Sequence, residues 1–502
     1  MKIPDADQIR AIDVYTIDYE PISSIDLMER AASKCFSRIK KQIRQKQKVV
    51  VFCGPGNNGG DGLAIARMLA GTGHNVEAYL MPHSEQHSAE YLVNLKRLKK
   101  IRNAKIVNLQ EQENLPEIPG DALVVDALFG TGLNRPLEGF PSTLVQQINK
   151  SGAKIISIDI PSGLFIDDNR GNNYKSIIKA SQTLTFQFPK LAFLLPENEN
   201  YVGQWEILDI GLHNDAIKST NTKHHLTEAN DIRSFYRPRS KFSHKGNYGH
   251  ALLLAGSEGK AGAAILASGA ALRSGLGLLT VHLPANLLPI LQAALPEAMC
   301  RADSDPQKIT NTGDLESFNA IGFGPGTGTD TRTCNALKLL IQNSGIPLVI
   351  DADGINILAQ NPTWFAFLPK GTILTPHPKE FERIAGKSTD GFQRLELGRA
   401  FAFKYSVYLI LKGAHTAIIC PDGHIFFNST GNPGMATGGS GDVLTGIILG
   451  WLAQGYSPFQ AALMGVYLHG MSGDLAAARL GKEGMLAGDI IFHLPKAIKK
   501  VF

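Results

Sequence analysis

Lys48-Val-Val-Val-Phe-Cys-Gly-Pro-Gly-Asn-Asn-Gly-Gly-Asp-Gly62 decides the fold. A short β-branched run ends abruptly in glycine, and Leu63–Leu69 then takes helical spacing, so the stretch reads as strand, turn and helix. Val76–Leu80 returns to strand character, and Leu123–Phe129 and Lys154–Ile160 are further apolar runs that end in Gly- or Pro-bearing loops. Strands that alternate with helices predict a parallel sheet covered on both faces. Ligands of such sheets bind beyond the C-terminal strand ends, where loops 54–62, 130–136 and 159–164 all fall.

Gly203–Leu212 reads as the last strand of this series. A second series begins with a strand at Gly249–Ala255, a loop at Gly256–Gly262 and an Ala-rich helix from Ala263 to Ser274. Ala320–Gly324, Pro347–Ile350, Thr372–Thr375 and Val407–Leu411 follow as strands. The stretch Asn214–Lys223 is polar and aperiodic, which predicts two α/β domains, 1–213 and 227–502, joined by a linker at 214–226. A chain of 502 residues has room for this, since domains run to roughly 100–200 residues.

Composition excludes several classes. With 43% hydrophobic and 19% charged residues the chain can bury substantial cores, so disorder is not expected. The net charge of +5 is spread thinly, with denser basic stretches only at Lys34–Lys48 and Arg237–Lys245. Neither forms a sustained basic face with interleaved aromatics, so no nucleic-acid partner is expected. The five cysteines form no CxxC pair, which argues against a zinc site or a disulfide framework and for a cytoplasmic protein. Met1–Asp7 lacks a signal-peptide core, and the apolar stretch Ala261–Val281 is broken by Arg273, so no membrane span is expected.

Gly54-Pro-Gly-Asn-Asn-Gly59 also satisfies the G-x-G-x-x-G pattern, with Glu77 about twenty residues on, where a dinucleotide fold places its ribose-binding acid. A nicotinamide dehydrogenase is therefore one reading. The continuation Asn57-Asn-Gly-Gly-Asp-Gly62 argues against it, because a carboxylate inside a phosphate cradle repels its ligand. Amide and carboxylate oxygens here, with Asp126 and Ser162 on neighbouring strand ends, suit a hard cation. Simple turn chemistry explains the same Asn and Asp residues without any ligand.

Gln8-Ile-Arg, Leu27-Met-Glu-Arg-Ala-Ala32, Gly56–Gly62, Asp126-Ala-Leu-Phe-Gly-Thr-Gly-Leu133 and Asp159-Ile-Pro-Ser-Gly163 together resemble the NAD(P)H-hydrate epimerase family over residues 8–213. The resemblance implies a Rossmann-like domain whose Asn57, Asn58, Gly59, Gly60, Asp61, Gly130, Thr131, Gly132, Leu133, Asn134, Arg135, Pro136 and Asp159 contact the hydrated nucleotide. It implies a potassium ion on Asn58, Asp126 and Ser162. The hydrate carries a hydroxyl and the ring nitrogen on one carbon, C6, so its configuration inverts through an iminium or ring-opened species. A single carboxylate moving a proton near C6 suffices, and Asp159 is the candidate.

In the second half, Gly434-Met-Ala-Thr-Gly-Gly-Ser-Gly-Asp442 precedes an apolar helical run, Val443–Leu452. Glycines at a helix start leave backbone N–H groups free for phosphate oxygens. Asp442 is then placed to take a proton from a hydroxyl attacking the terminal phosphate, although an acid there also stabilises its own helix. Gly322–Gly328, Asp351–Gly354, Thr375-Pro-His-Pro-Lys-Glu380 and Lys412-Gly-Ala-His-Thr416 also end strands.

Together these segments resemble the ADP- or ATP-dependent NAD(P)H-hydrate dehydratases, of ribokinase-like fold, from about Thr227 to Lys496. The resemblance implies that Lys412, Gly413, Ala414, His415, Thr416 and Gly441 bind the adenine nucleotide with magnesium. It implies that Ala263, Gly326, His377 and Asp442 bind the hydrate, with Asp442 as base. Hydroxide leaves poorly, whereas a phosphorylated C6 hydroxyl departs as phosphate while the ring nitrogen donates its lone pair. The expectation is a bifunctional, homo-oligomeric repair enzyme acting on NADHX and NADPHX with ADP or ATP. The alternative is a small-molecule kinase fused to a nicotinamide-nucleotide-binding domain, and a third reading makes the first half a non-catalytic binding module.

Overall fold

A computed structural model describes residues 1–81, 87–110 and 115–502. The chain divides into two compact units, Lys2–Thr222 and Lys223–Phe502, the latter taking in Met1.

The first unit is built on seven strands: β1 (Val49–Cys53), β2 (Val76–Leu80), β3 (Ala104–Asn108), β4 (Leu123–Ala127), β5 (Lys154–Ile158), β6 (Gln182–Phe186) and β7 (Gln204–Leu208). All pair in parallel, in the order β3-β2-β1-β4-β5-β6-β7. β1 and β4 are buried at every position, as strands covered on both faces must be. The order reverses direction between β1 and β4, which opens a crevice beyond their C-terminal ends.

The first helix after β1 differs from expectation. It spans Asn57–Gly71 and so begins inside the glycine stretch, six residues before Leu63. Close packing is the reason. A Cβ on Gly59 would stand 1.8 Å from the Gly54 carbonyl oxygen, and one on Gly62 would stand 2.6 Å from Ala127 Cβ. The stretch read as an aperiodic linker also holds regular structure: a helix at Asn214–Ser219, capped by His213, and a strand beginning at His224.

The second unit carries β8 (His224–Thr227), β9 (His250–Leu254), β10 (Leu278–Leu283), β11 (Met299–Ala302), β12 (Ala320–Phe323), β13 (Leu348–Ile350), β14 (Ile373–Leu374), β15 (Tyr408–Leu411), β16 (Ala417–Ile419) and β17 (Ile425–Asn428). Their order is β11-β10-β9-β12-β13-β14-β15-β16-β17-β8. The sheet is parallel from β11 to β15, turns antiparallel through β16, and ends with β8 parallel to β17.

Two helices, Ala261–Arg273 and Ser440–Ala453, pack backbone to backbone in this unit's core. Small residues permit the approach: a Cβ on Gly446 would stand 2.0 Å from the Ala267 carbonyl oxygen, and one on Gly450 2.7 Å from Ser274 Cβ. Gly446→Ala is therefore expected to destabilise the protein by about 1–3 kcal/mol, the usual cost of overpacking. Urea unfolding measures this, and an unchanged midpoint would contradict the packing described.

The apolar stretch 261–281 resolves into that first helix and the start of β10. Among the described residues no helix is long and apolar enough to cross a membrane.

Candidate functional site

In the first unit, β1, β4, β5 and β6 lie side by side, so the loops after them share one rim. The helix Asn57–Gly71 starts there without a side-chain cap, which leaves its first N–H groups free for an anion. Asn57 and Arg135 are exposed on this rim, and among the described residues Arg135 has no ion-pair partner. Thr131, Gly132, Leu133, Asn134 and Pro136 form the loop between β4 and the next helix. Gly59 and Gly60, by contrast, pack inward: a Cβ on Gly60 would stand 2.8 Å from Met28 Sδ.

Below the rim, Asp126 is fully buried. Its Oδ1 accepts from Ser162 Oγ at 2.5 Å, and its Oδ2 accepts from Ser157 Oγ at 2.7 Å and from Ser162 N at 2.9 Å. Burial pushes its carboxyl up, and these hydrogen bonds oppose the shift. Asn58 is also buried, and among the described residues neither its Oδ1 nor its Nδ2 has a hydrogen-bond partner. A Cβ on Gly130 would touch Asn58 Cβ at 3.2 Å, so the amide lies directly under that loop. A buried amide with no partner is costly unless a ligand satisfies it.

Beside these groups sits a carboxylate cluster. Asp159 has a left-handed backbone, φ 64°, an uncommon conformation for a residue with a side chain. Its Oδ1 is 2.8 Å from Lys190 Nζ and also accepts from Phe186 N at 3.2 Å. Lys190 is only 1% exposed, and its ammonium also donates to the carbonyls of Phe186 and Phe188. Asp61, expected in a phosphate-binding loop, is instead buried in the helix Asn57–Gly71. Burial pushes its carboxyl well up, with Asp159 and Asp13 adding to the shift. Asp13, from the helix Ala6–Tyr19, is raised to about 7 by burial and then by Asp159, with Lys190 opposing. One buried ammonium thus serves Asp159 and Asp13, while Asp61 feels both of those carboxyls, and Asp13 and Asp61 are each pushed towards the protonated form.

Glu77 corrects the dehydrogenase reading. It is the second residue of β2, not the last, and so lies at the strand end away from the glycine turn. It is held there by Lys48 at 2.8 Å and Lys105 at 3.4 Å. Among the described residues no acid stands at the C-terminal end of β2.

In the second unit, Gly439 takes φ 88° and opens the helix Ser440–Ala453 without a side-chain cap. A Cβ on Gly441 would stand 3.2 Å from Lys412 Nζ and 3.7 Å from Asp351 Oδ2, so the loop after β15 meets the glycine turn. Lys412 Nζ donates to Asp351 Oδ1 at 2.7 Å, and Thr445 Oγ1 donates to Asp351 Oδ2 at 2.6 Å. Asp442 takes no hydrogen bond from any described residue, and burial, followed by the charge of Asp351, raises its carboxyl to about 7. Lys412 opposes the shift. The outcome is a carboxyl poised to exchange a proton at neutral pH beside free N–H groups and an ammonium.

The remaining expected residues surround this turn in different ways. Gly326, at φ 64°, packs against the helix start, where a Cβ would meet Ala263 Cβ at 3.0 Å. Gly413 and Ala414 are exposed, and Thr416 Oγ1 closes their turn on the Gly413 carbonyl at 3.0 Å. His415 hydrogen-bonds the Asn428 carbonyl oxygen, and burial lowers its pKa, keeping it neutral. His377 is not a loop residue but the N-cap of the helix Pro378–Ala385. Its Nδ1 accepts from Lys379 N at 3.0 Å and Glu380 N at 3.1 Å, and its Nε2 lies 3.6 Å from Glu380 Oε1.

Comparison with known proteins gives the same division of the chain. Residues 24–192 match the family model described as YjeF-related protein N-terminus, and residues 251–496 match that of NAD(P)H-hydrate dehydratase. The bifunctional NAD(P)H-hydrate repair enzyme of Moorella thermoacetica is 36% identical over 96% of this chain and 93% of its own length.

The chain belongs to the bifunctional NAD(P)H-hydrate repair enzymes.

The repair enzyme of Escherichia coli K12 is 32% identical over 98% of this chain and 93% of its own. Among solved structures, an ADP/ATP-dependent NAD(P)H-hydrate dehydratase from Bacillus subtilis, co-crystallized with ATP and Mg2+, is 33% identical with a TM-score of 0.50. It covers 55% of this chain and 99% of its own. A ribokinase-like superfamily protein from Enterococcus faecalis V583 is 29% identical with a TM-score of 0.50, covering 56% of this chain and 98% of its own. This repair enzyme therefore joins a Rossmann-like epimerase unit to a ribokinase-like dehydratase unit.

Several residues at these sites escaped sequence reasoning. Asp13 and Lys190 lie far from the glycine motifs in sequence, and no spacing rule ties them to Asp159. Asp351, which anchors Lys412, sits in the noted Asp-Ala-Asp-Gly turn, whose strained Ala352 has φ 47°. His469 comes from an apolar helix without a motif, yet its Nε2 lies 3.3 Å from Ser440 Oγ at the glycine turn. Burial, then Lys412, lowers its pKa to about 4, so it adds no charge there.

Proposed function

We propose that this chain repairs hydrated nicotinamide nucleotides in two steps. The first unit interconverts the R and S forms of NADHX and NADPHX. The second phosphorylates the C6 hydroxyl of the S form, using ADP (or ATP), and releases NADH or NADPH as the phosphate departs. The observation that carries this reading is Asp442: a carboxyl raised to about 7 beside an uncapped helix start and the Lys412–Asp351 pair.

In the dehydratase step, the N–H groups at Ser440–Asp442 and the Lys412 ammonium would hold the terminal phosphate. Asp442 would take the hydroxyl proton as oxygen attacks phosphorus. Lys412–Thr416 would seat the nucleotide, and Ala263, Gly326 and His377 Nε2 would line the hydrate. Magnesium would arrive on the nucleotide and supply charge compensation through its phosphates and water. Among the described residues no cluster of three or more His, Cys, Asp or Glu side chains stands ready for a metal ion.

In the epimerase step, Asp159 would carry the proton near C6 while Lys190 fixes the carboxylate through Oδ1. Asn57, Asp61 and the 130–136 loop would hold the nucleotide. The unpartnered Asn58 amide and the buried Asp126 and Ser162 oxygens fit a potassium ion, which would supply a fixed positive charge under the substrate. Exchanging potassium for tetramethylammonium is then expected to slow epimerisation and leave dehydration of the S form unchanged. Potassium should also raise the unfolding midpoint of wild type but not of Asn58→Ala, and equal shifts in both would contradict the site.

A cytoplasmic setting and a homo-oligomer complete the reading. The test is direct: mixed hydrate epimers are incubated with the chain and ADP or ATP, and recovery of the near-ultraviolet absorbance of the reduced nicotinamide is followed. Full recovery dependent on the nucleotide is expected. A stably phosphorylated product, or no recovery, would favour the kinase-fusion alternative.

A further inference from the structure

The basic stretch Arg237–Lys245 plays no part in either site described above, and the structure gives it a different setting. It borders a cavity of about 710 Å³ within the second unit, inside the roughly 300–1,000 Å³ range of small-molecule sites. The cavity reaches the C-terminal ends of the helices Ala261–Arg273 and Ser440–Ala453, through Arg273, Trp451 and Gln454. Asp442 is near the opposite end of the second helix, about 14–18 Å from Trp451 and Gln454 at 1.5 Å per residue.

Among the described residues its walls carry three guanidiniums, those of Arg237, Arg239 and Arg273, and no carboxylate. Helix C-termini account for part of this charge. Arg237 Nη1 donates to the Gly455 carbonyl at 3.3 Å, and Arg239 Nη2 donates to that of Gly275. Each guanidinium has five N–H donors, so most remain available. Arg237 and Arg239 are also stiffened by aromatic rings, 4.7 Å from that of Tyr456 and 3.9 Å from that of Tyr248. Among the described residues Arg273 has no hydrogen-bond or ion-pair partner.

A second observation points the same way. Trp451 lines the cavity and is 3% exposed, yet its Nε1–H, which can only donate, has no acceptor among the described residues. Phe242, also in the lining, is 92% exposed and presents an uncovered ring. Unpaired donors, triple positive charge and an open aromatic face describe a receptor for an anion attached to a planar ring.

We propose that this cavity is a second nucleotide site, separate from the phosphate-binding turn at Asp442. Arg237, Arg239 and Arg273 hold the phosphates, Trp451 Nε1–H donates to an oxygen, and Phe242 stacks on the base.

The experiment uses the full chain with Trp205→Phe and Trp364→Phe, which leaves Trp451 as the one tryptophan. Its fluorescence is titrated with ADP and, separately, with pyrophosphate. ADP is expected to give a saturable change whose Kd weakens about tenfold or more in Arg273→Gln, the loss of one charge-assisted contact. The dehydratase KM for ADP should stay unchanged in the same variant, which also shows that it folds. Pyrophosphate should bind more weakly than ADP, and equal affinity would overturn the stacking role of Phe242. No fluorescence change, or the same Kd in Arg273→Gln, would overturn the site. So would an arginine variant that alters only the sedimentation of the chain, because a second copy would then be what covers the cavity.

Discussion

Asp442→Asn is expected to lower the turnover of the S hydrate by about 10²–10⁴-fold, the usual contribution of a positioned acid or base, and to leave ADP binding intact. The argument rests on the balance of charges at the glycine turn. Burial and Asp351 hold the Asp442 proton up to about 7, while Lys412 keeps it from rising further. A base must be ionised to act, so the wild-type rate should climb with pH through about 7 and then level off. The sign for stability is opposite. The folded chain binds this proton more tightly than the unfolded one, so the stabilisation is complete below the ordinary carboxyl range. It is lost as pH rises through about 7. Asparagine carries no charge to desolvate, so above neutrality the variant should be at least as stable as wild type. Dead catalysis in a chain that is no less stable is a combination that a purely structural role for Asp442 does not produce. Steady-state kinetics with purified S hydrate, paired with urea unfolding at two pH values, measures both halves.

Asp159→Asn should have an effect of similar size on the other activity, slowing epimerisation by about 10²–10⁴-fold, towards the spontaneous rate. Asparagine tolerates the left-handed backbone at this position, so the substitution removes charge and proton transfer without adding strain. It also strips Lys190 of its closest carboxylate in a site where the lysine is almost wholly buried. Lys190→Met tests the arrangement from the other side. It leaves Asp159, Asp61 and Asp13 facing one another without a counter-charge, and breaking a buried pair in this way costs about 3–5 kcal/mol. The two variants should therefore separate. Asp159→Asn removes the charge that raises Asp13, which then ionises more readily as a counter-charge to Lys190, so this variant should lose epimerisation with the smaller loss of stability, whereas Lys190→Met should lose both. Recovery of the R form at the wild-type rate by Asp159→Asn would remove that residue from the chemistry.

Much of the architecture was legible because parallel strands buried on both faces leave unbroken apolar runs. Val76–Leu80 matches β2 residue for residue. Lys154–Ile160 overshoots β5 by two residues, because the backbone at Asp159 turns left-handed, which hydrophobicity does not reveal. The glycine stretch misled in the opposite sense. Gly59, Gly60 and Gly62 look like an open loop, but Gly59 and Gly62 seat a helix against β1, its turn and β4, and Gly60 lets Met28 approach. β3, β6, β11, β16, β17 and β8 passed unread: the last four have only three or four residues, and β3 and β6 mix polar with apolar side chains and so lack an unbroken apolar run.

At the sites, legibility followed sequence locality. Lys412, Gly441 and Asp442 belong to compact motifs, and the structure brings them together. Asp126 and Ser162 were also legible, as acid and hydroxyl at neighbouring strand ends, and they share hydrogen bonds at 2.5 and 2.9 Å. Partners supplied by distant elements were not. Asp13 comes from a helix that precedes the sheet, Lys190 from the loop after β6, and His469 from a helix beyond the glycine turn. Glu77 shows the converse error. Its spacing from the glycines is right, but its place within β2 puts it at the wrong edge.

The claim that two separate sites act in series is tested most directly by epimer-resolved chromatography of the R and S hydrates incubated with nucleotide and each variant. Asp442→Asn should equilibrate the two forms without consuming either. Asp159→Asn should consume the S form rapidly and the R form only as fast as it epimerises unaided. An equal mixture of the two variants should clear both, because each supplies the site the other lacks. Rapid clearance of both forms by either variant alone, or failure of the mixture to clear the R form faster than Asp159→Asn does, would contradict the account.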